Sequence, residues 1–225
     1  MRILVSLLFL ALCAPVSAQI APSAAELVAY TGLHAAAAKG DTAEIVNLLK
    51  SGTPVDAKDG SARTPLHVAI YRKQGPAALA LIKGGANPNA LEAQQYDIVT
   101  IASVADDVPM LKLSLENGGS ARNITSPYQG TALIAAAHLG HDEVVRMLIA
   151  AKAPLDHVNN LGWTALIESI VLGDGGKRHI ASLDALVKAG ANVNIADRTG
   201  RTPLALARGR GYTEMVKTLE VAGAK

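Results

Sequence analysis

The four-residue word Thr64-Pro-Leu-His67 constrains this chain more than any other stretch, because its slot returns at a fixed interval. Thr31-Gly-Leu-His34 stands 33 residues before it, and Asp97-Ile-Val-Thr100 stands 33 after. Thr131-Ala-Leu-Ile134, Thr164-Ala-Leu-Ile167 and Thr202-Pro-Leu-Ala205 follow at intervals of 34, 33 and 38. Six slots on one period indicate a chain built by stacking a single supersecondary unit. The word is also a helix start. The Thr hydroxyl caps free backbone N–H groups, Pro takes the first helical position where its missing donor costs nothing, and Leu turns inward.

Seventeen and eighteen positions after the slot comes a mostly apolar pair, as in Leu48-Leu49, Leu81-Ile82, Ser114-Leu115 and Leu148-Ile149. In the fifth unit the pair, Leu186-Val187, arrives five residues late. Gly52, Gly85, Gly118-Gly119, Gly190 and Gly223 follow where a second helix needs a left-handed cap. Each unit therefore reads helix, turn, helix, glycine stop, hairpin. Lys152 holds the glycine position of the fourth unit, so mild strain is expected at that helix end.

With these residues in view the chain resembles the ankyrin-repeat family. Thr64-Pro-Leu-His67-Val-Ala69 and Leu81-Ile82-Lys-Gly-Gly-Ala-Asn-Pro-Asn89 lie close to the family's wording, and the likeness runs from about Ser23 to Lys225. It implies an all-α solenoid of about six helix-turn-helix repeats with β-hairpin connections, near 31–57, 58–90, 91–123, 124–157, 158–195 and 196–225. Gly32 in place of Pro fits a capping first repeat, and the third repeat keeps Asp97 as a residue able to cap. The sixth repeat carries Lys217 and Glu220 on its outer helix, as a wetter C-terminal cap should.

Aromatic residues make up only 3% of the chain while half of it is apolar, so Ala and Leu must do the packing. Residues 1–18 read as a signal peptide: Met1-Arg2, an apolar run from Ile3 to Ala14, and Val16-Ser17-Ala18 as a cleavage site before Gln19. The run is too short for a membrane span, and no later segment is longer. Leu10-Ala11-Leu12 before Cys13 puts a large residue where a lipobox wants a small one, which argues against lipid attachment there. Cleavage would remove the chain's single cysteine and lower the formal net charge from +2 to +1 through loss of Arg2. Neither nucleic acid nor an anionic membrane is then a favoured partner. The expectation is a periplasmic or secreted protein, residues 19–225 forming one domain, without a membrane anchor and monomeric on its own.

Chemistry-bearing motifs are scarce. The Gly-rich stretch 173–178 of the fifth repeat ends in basic residues, but it follows a helix and no Ser or Thr succeeds the Lys, which rejects a phosphate loop. It is expected to project as a solvated loop, away from the hairpins, that can be shortened without disturbing the groove. His34 and His67 stand where the family bonds a neighbouring hairpin and the capping Thr, so the resemblance makes them structural. His138 and His141 lie at a helix end and a helix start without a carboxylate or Cys at ligand spacing, so no metal or other cofactor is expected. No nucleophile elbow is present, and an enzyme is not expected. Asn123-Ile-Thr125 matches a glycosylation sequon that chance explains equally well.

The resemblance also implies where binding occurs. The residue before each Thr slot and the residue seven after it line a concave groove. These positions give Tyr30, Arg63, Tyr96, Trp163 and Arg201 on the hairpins, with Tyr128 beside them, and Tyr71 and His138 on inner helices. Tyr, Trp and Arg dominate protein interfaces. The row is read as a partner-binding groove for another protein of unknown identity. The implied role is accessory or stabilising partner of an exported enzyme, for example in peroxide defence, the alternative being an inhibitor or immunity protein that blocks a toxic effector.

Overall fold

A computed structural model describes residues 19–225. The proposed signal peptide lies outside the described residues. After a short lead-in helix α1 (Ala24–Ala29), six helix pairs follow: α2 (Gly32–Lys39) with α3 (Thr42–Lys50), α4 (Pro65–Tyr71) with α5 (Gly75–Lys83), and α6 (Ile98–Val104) with α7 (Val108–Glu116). Then come α8 (Ala132–Leu139) with α9 (Asp142–Ala150), α10 (Ala165–Val171) with α11 (Lys177–Lys188), and α12 (Pro203–Arg210) with α13 (Thr213–Val221). Inner helices stack on inner helices and outer on outer, each touching its sequence neighbours. One continuous core of Leu, Ile, Val and Ala runs between the two rows.

The Thr slots do what their chemistry suggests. Thr64, Thr131, Thr164 and Thr202 each accept from the backbone N–H three residues on, and Asp97 does the same for Thr100. Thr31 makes no such bond, in keeping with its place in the terminal repeat. His67 goes further. Its Nδ1 lies 3.1 Å from the Thr64 backbone nitrogen and its Nε2 lies 3.0 Å from the Ala90 carbonyl of the next hairpin. Burial holds the His67 pKa below the ordinary histidine value. Stability should therefore be full above about pH 6.5 and fall as the pH drops below it, because the unfolded chain then takes up a proton that the folded ring resists. Urea unfolding at pH 7.5 and pH 5 should show this loss, and His67→Gln should reduce it.

The hairpins carry a regularity not anticipated from the sequence. Five residues before each slot after the first, Asp59, Glu92, Ser126, Asn159 and Asp197 each accept, through a side-chain oxygen, backbone N–H groups two and four residues ahead. The turn is closed by a backbone bond, such as Asn159 N–H to the Trp163 carbonyl at 3.0 Å. These tips are too tight for a ladder, and among the described residues only the isolated bridge Thr125–Gly130 forms. Lys152 adopts φ 61°, the left-handed conformation for which its neighbours use Gly.

The insertion of the fifth repeat is not a projecting loop. Part of it lengthens α11 to 12 residues, against 9 for the other outer helices. Arg178, now helical, pairs with Asp106 at 2.8 Å and Asp142 at 3.1 Å, reaching back across two repeats. His179 bonds the His138 carbonyl at 2.9 Å and lies over Gly140, where an added Cβ would meet its ring at 2.9 Å. Tyr212 donates to the Gly173 carbonyl from the other side. Shortening this segment would remove ties to the third, fourth and sixth repeats, which corrects the expectation of a projecting, solvated loop.

Candidate functional site

Inner helices and hairpins together enclose a cavity of about 670 Å³ on the concave face. Its wall includes Tyr71 from α4, Tyr96 and Tyr128 from successive hairpins, His138 from α8 and Trp163 from the fifth hairpin. Five of the eight residues singled out in the sequence thus converge on one space. Ile134, Leu161 and Leu172 fill the wall between them. Sequence reasoning missed these three because an apolar residue in a stack is ordinarily core.

Trp163 is positioned by a chain of bonds. Asn159 Oδ1 accepts from the Trp163 N–H at 3.0 Å, and Asn159 Nδ2 donates to Glu168 Oε1 at 2.9 Å. Glu168 Oε2 lies 3.1 Å from His138 Nδ1. Glu168 is 3% exposed, and both of its oxygens are committed. Among the described residues it is the one formally charged side chain on the cavity wall. A buried acid four residues after a Thr slot was the visible but unused signal for this network.

Tyr71 stands apart on the wall. Its Oη is buried and has no hydrogen-bond partner among the described residues. Burial, then the Glu92 carboxylate, pushes its phenol pKa well above the usual value. A buried hydroxyl without a partner costs on the order of 1–3 kcal/mol. The group is therefore a natural contact point for a ligand.

The other residues take different places. Tyr96 lies on the wall but is 3% exposed, its phenol pKa raised by burial and by Glu92, so its ring serves as floor rather than as a protruding anchor. Arg63 is wholly buried, contrary to its expected place on an open groove surface. It sits in the groove slot, but residues ahead of the first repeat cover it. Arg63 Nη1 donates to the Ile20 carbonyl at 3.2 Å, Nε to Asp59 Oδ2 at 2.8 Å, and Nη2 pairs with Glu26. Tyr30 adds its hydroxyl to Asp59 at 2.6 Å and is outside the cavity. Burial and the bond to Asp59 push the Tyr30 pKa up; burial would raise Asp59 too, but the bonds from Tyr30 and Arg63 outweigh it and hold that carboxyl low. Arg201, paired with Asp197 at 3.0 Å and 61% exposed along its side chain, stands at the far end away from the cavity.

All six histidines have structural partners. Besides those above, His34 bonds the Arg63 carbonyl, His141 the Ser103 carbonyl and His157 the Gln129 carbonyl. Among the described residues no cluster of His, Cys, Asp or Glu could hold a metal ion. No helix among them is long and apolar enough to cross a membrane.

A family model described as ankyrin repeats (three copies) matches residues 8–92 and 99–197. The chain belongs to the ankyrin-repeat family. YahD of Escherichia coli K12, itself named as an ankyrin repeat protein, is 32% identical over 190 residues, which is 84% of this chain and 94% of YahD. Among solved structures, an ankyrin repeat domain from Acinetobacter baumannii is 46% identical with a TM-score of 0.81, covering 86% of this chain and 98% of that one. A chain in the complex of the predatory endopeptidase Bd0816 of Bdellovibrio bacteriovorus with immunity protein Bd3460 superposes with a TM-score of 0.70. That likeness covers 85% of this chain and 98% of that one at 22% identity, and it extends to fold alone. Ankyrin repeats are protein-interaction modules, and no catalytic family is indicated.

Proposed function

We propose that this ankyrin-repeat protein is exported and binds another protein through its concave cavity, acting as an accessory or stabilising partner of an exported enzyme. The observation that carries the reading is the cavity itself. Tyr71, Tyr128 and Trp163 share one space of about 670 Å³ with almost no charge, the setting in which aromatic anchors contribute most to affinity. Export is supported by Arg2, the apolar run and Val16-Ser17-Ala18. Peroxide defence is one setting for such a partner. Blocking a toxic effector is the other role; the complex of endopeptidase and immunity protein named above contains a chain of similar fold, a likeness of fold alone.

The partner can be captured from the exported fraction and its affinity measured against variants. Trp163→Ala and Tyr128→Ala should each weaken binding by about 2 kcal/mol, or roughly thirtyfold, without loss of helix content. Lys112→Ala and Arg146→Ala on the convex face, where both side chains are more than half exposed, should change affinity by under about 0.5 kcal/mol. The opposite pattern would place the interface on the convex face. N-terminal sequencing of the purified protein should begin at Gln19, and a protein retaining Met1 would overturn the export reading.

A further inference from the structure

The cavity wall contains two residues that belong to no repeat. Gln19 and Ala21 line it alongside Tyr71, Tyr96 and Thr100. The segment Gln19–Pro22 has no secondary structure of its own. It is held by the repeats instead. Gln19 Nε2 donates to the Thr100 carbonyl at 3.0 Å, the Ile20 carbonyl accepts from Arg63 at 3.2 Å, and Pro22 is buried. Ser23 then caps α1 through a reciprocal bond with Glu26, which itself pairs with Arg63. The groove thus already holds a polypeptide segment that belongs to no repeat.

Taking the groove as the binding site, we propose that it accepts a single uncharged, non-helical segment of the partner, and that Gln19–Pro22 occupies the Arg63 end of this track as a stand-in for it. Three features favour that occupant. The side chains of the segment present are all uncharged, and it is read through one backbone carbonyl and one side-chain amide. The cavity wall offers neither a cation nor an uncommitted carboxylate among the described residues, and Arg63 at the end of the track is already paired with Asp59 and Glu26, so a charged peptide would lose solvation without gaining a partner. The buried Tyr71 hydroxyl supplies a hydrogen-bonding group with no partner of its own, suited to a main-chain carbonyl.

The same arrangement makes the segment a competitor. Arg63 would lose the Ile20 carbonyl when the strap leaves and regain an equivalent acceptor from the incoming chain, so the exchange is nearly balanced in hydrogen bonds. Once the chain is cleaved before Gln19 only four residues must be released, and Asp59 and Glu26 stay on Arg63 throughout. An effective affinity of the groove for the partner is then reduced by the fraction of time the strap is seated.

Two synthetic probes test this on the intact chain. One is a fluorescein-labelled, C-terminally amidated peptide with the sequence of residues 19–23, Gln-Ile-Ala-Pro-Ser; the other carries Lys in place of Ile20 and Ala21. Fluorescence anisotropy should show the first probe binding a variant with a loosened strap, Gln19→Ala with Pro22→Gly, about tenfold more tightly than it binds the unaltered chain. The lysine probe should bind neither appreciably. Equal binding of both probes, no binding of either at millimolar concentration, or no gain on loosening the strap would overturn the proposal. Such a failure is distinguishable from failure of the groove reading, because the captured partner would still respond to Trp163→Ala and Tyr128→Ala if the groove binds a different kind of element.

Discussion

Truncating Leu133 to alanine is expected to lower the unfolding free energy by about 2–5 kcal/mol. Leu133 is 0% exposed at the start of α8, the middle of the inner row, where it packs between the helices of adjoining repeats. Its neighbours in the row are themselves small, Ala136 and Ala137 among them, and cannot swing into the space left behind. The cavity term therefore adds to the lost transfer energy. Because repeats contact only near neighbours, the damage should be local. Amide exchange should speed up in the third to fifth repeats more than in the first or sixth. Uniform loss of protection across the chain would mean that the repeats unfold as one globular unit. Leu166→Ala, one repeat further on and 1% exposed, should behave alike.

Arg63→Ala is the second large effect, expected at roughly 3 kcal/mol. The guanidinium is wholly buried, and its removal would leave Asp59, whose side chain is 8% exposed, without its cation. Two elements depend on the residue at once: the second hairpin, closed through Asp59, and the lead-in segment, held at Ile20 and Glu26. Arg63→Lys should recover only part of the loss, since an ammonium cannot present three nitrogens in a fixed fork. A double-mutant cycle with Asp59→Asn, read by urea denaturation, checks the coupling. A cost below about 0.5 kcal/mol for Arg63→Ala would show that the buried pair is replaceable by water.

These two sites also mark what the sequence could and could not disclose. Leu133 was legible, because a Thr-x-Leu slot repeated every 33 or so residues leaves only one face for the Leu. The caps, the glycine stops and the strained Lys152 were legible for the same reason: each is a local backbone requirement met by a residue type. Arg63 was placed correctly in its slot but not in its surroundings. Its burial comes from Ile20 and Glu26, which lie outside the period and which no repeat register could bring to it. Tyr96 was misjudged for a related reason. Position in the repeat says which way a side chain points but not how deep it lies, and this one is floor. The insertion of the fifth repeat read as loop because its Gly-rich half is conspicuous, whereas Arg178 and His179 act through partners one and two repeats back. The acceptor five residues before each slot after the first was periodic and went unnoticed because Asp, Glu, Ser and Asn alternate there, one chemistry in four spellings.

Site-specific photo-crosslinking tests the groove claim most directly. A benzophenone amino acid replaces Trp163 in one variant and Arg146 in another, and each protein is irradiated in its compartment of origin. Trp163 lies on the cavity wall, and Arg146 lies on the convex face with its side chain 53% exposed. The account predicts a light-dependent adduct of one defined mass from position 163 and none from position 146. An adduct from position 146 with none from position 163 would contradict it.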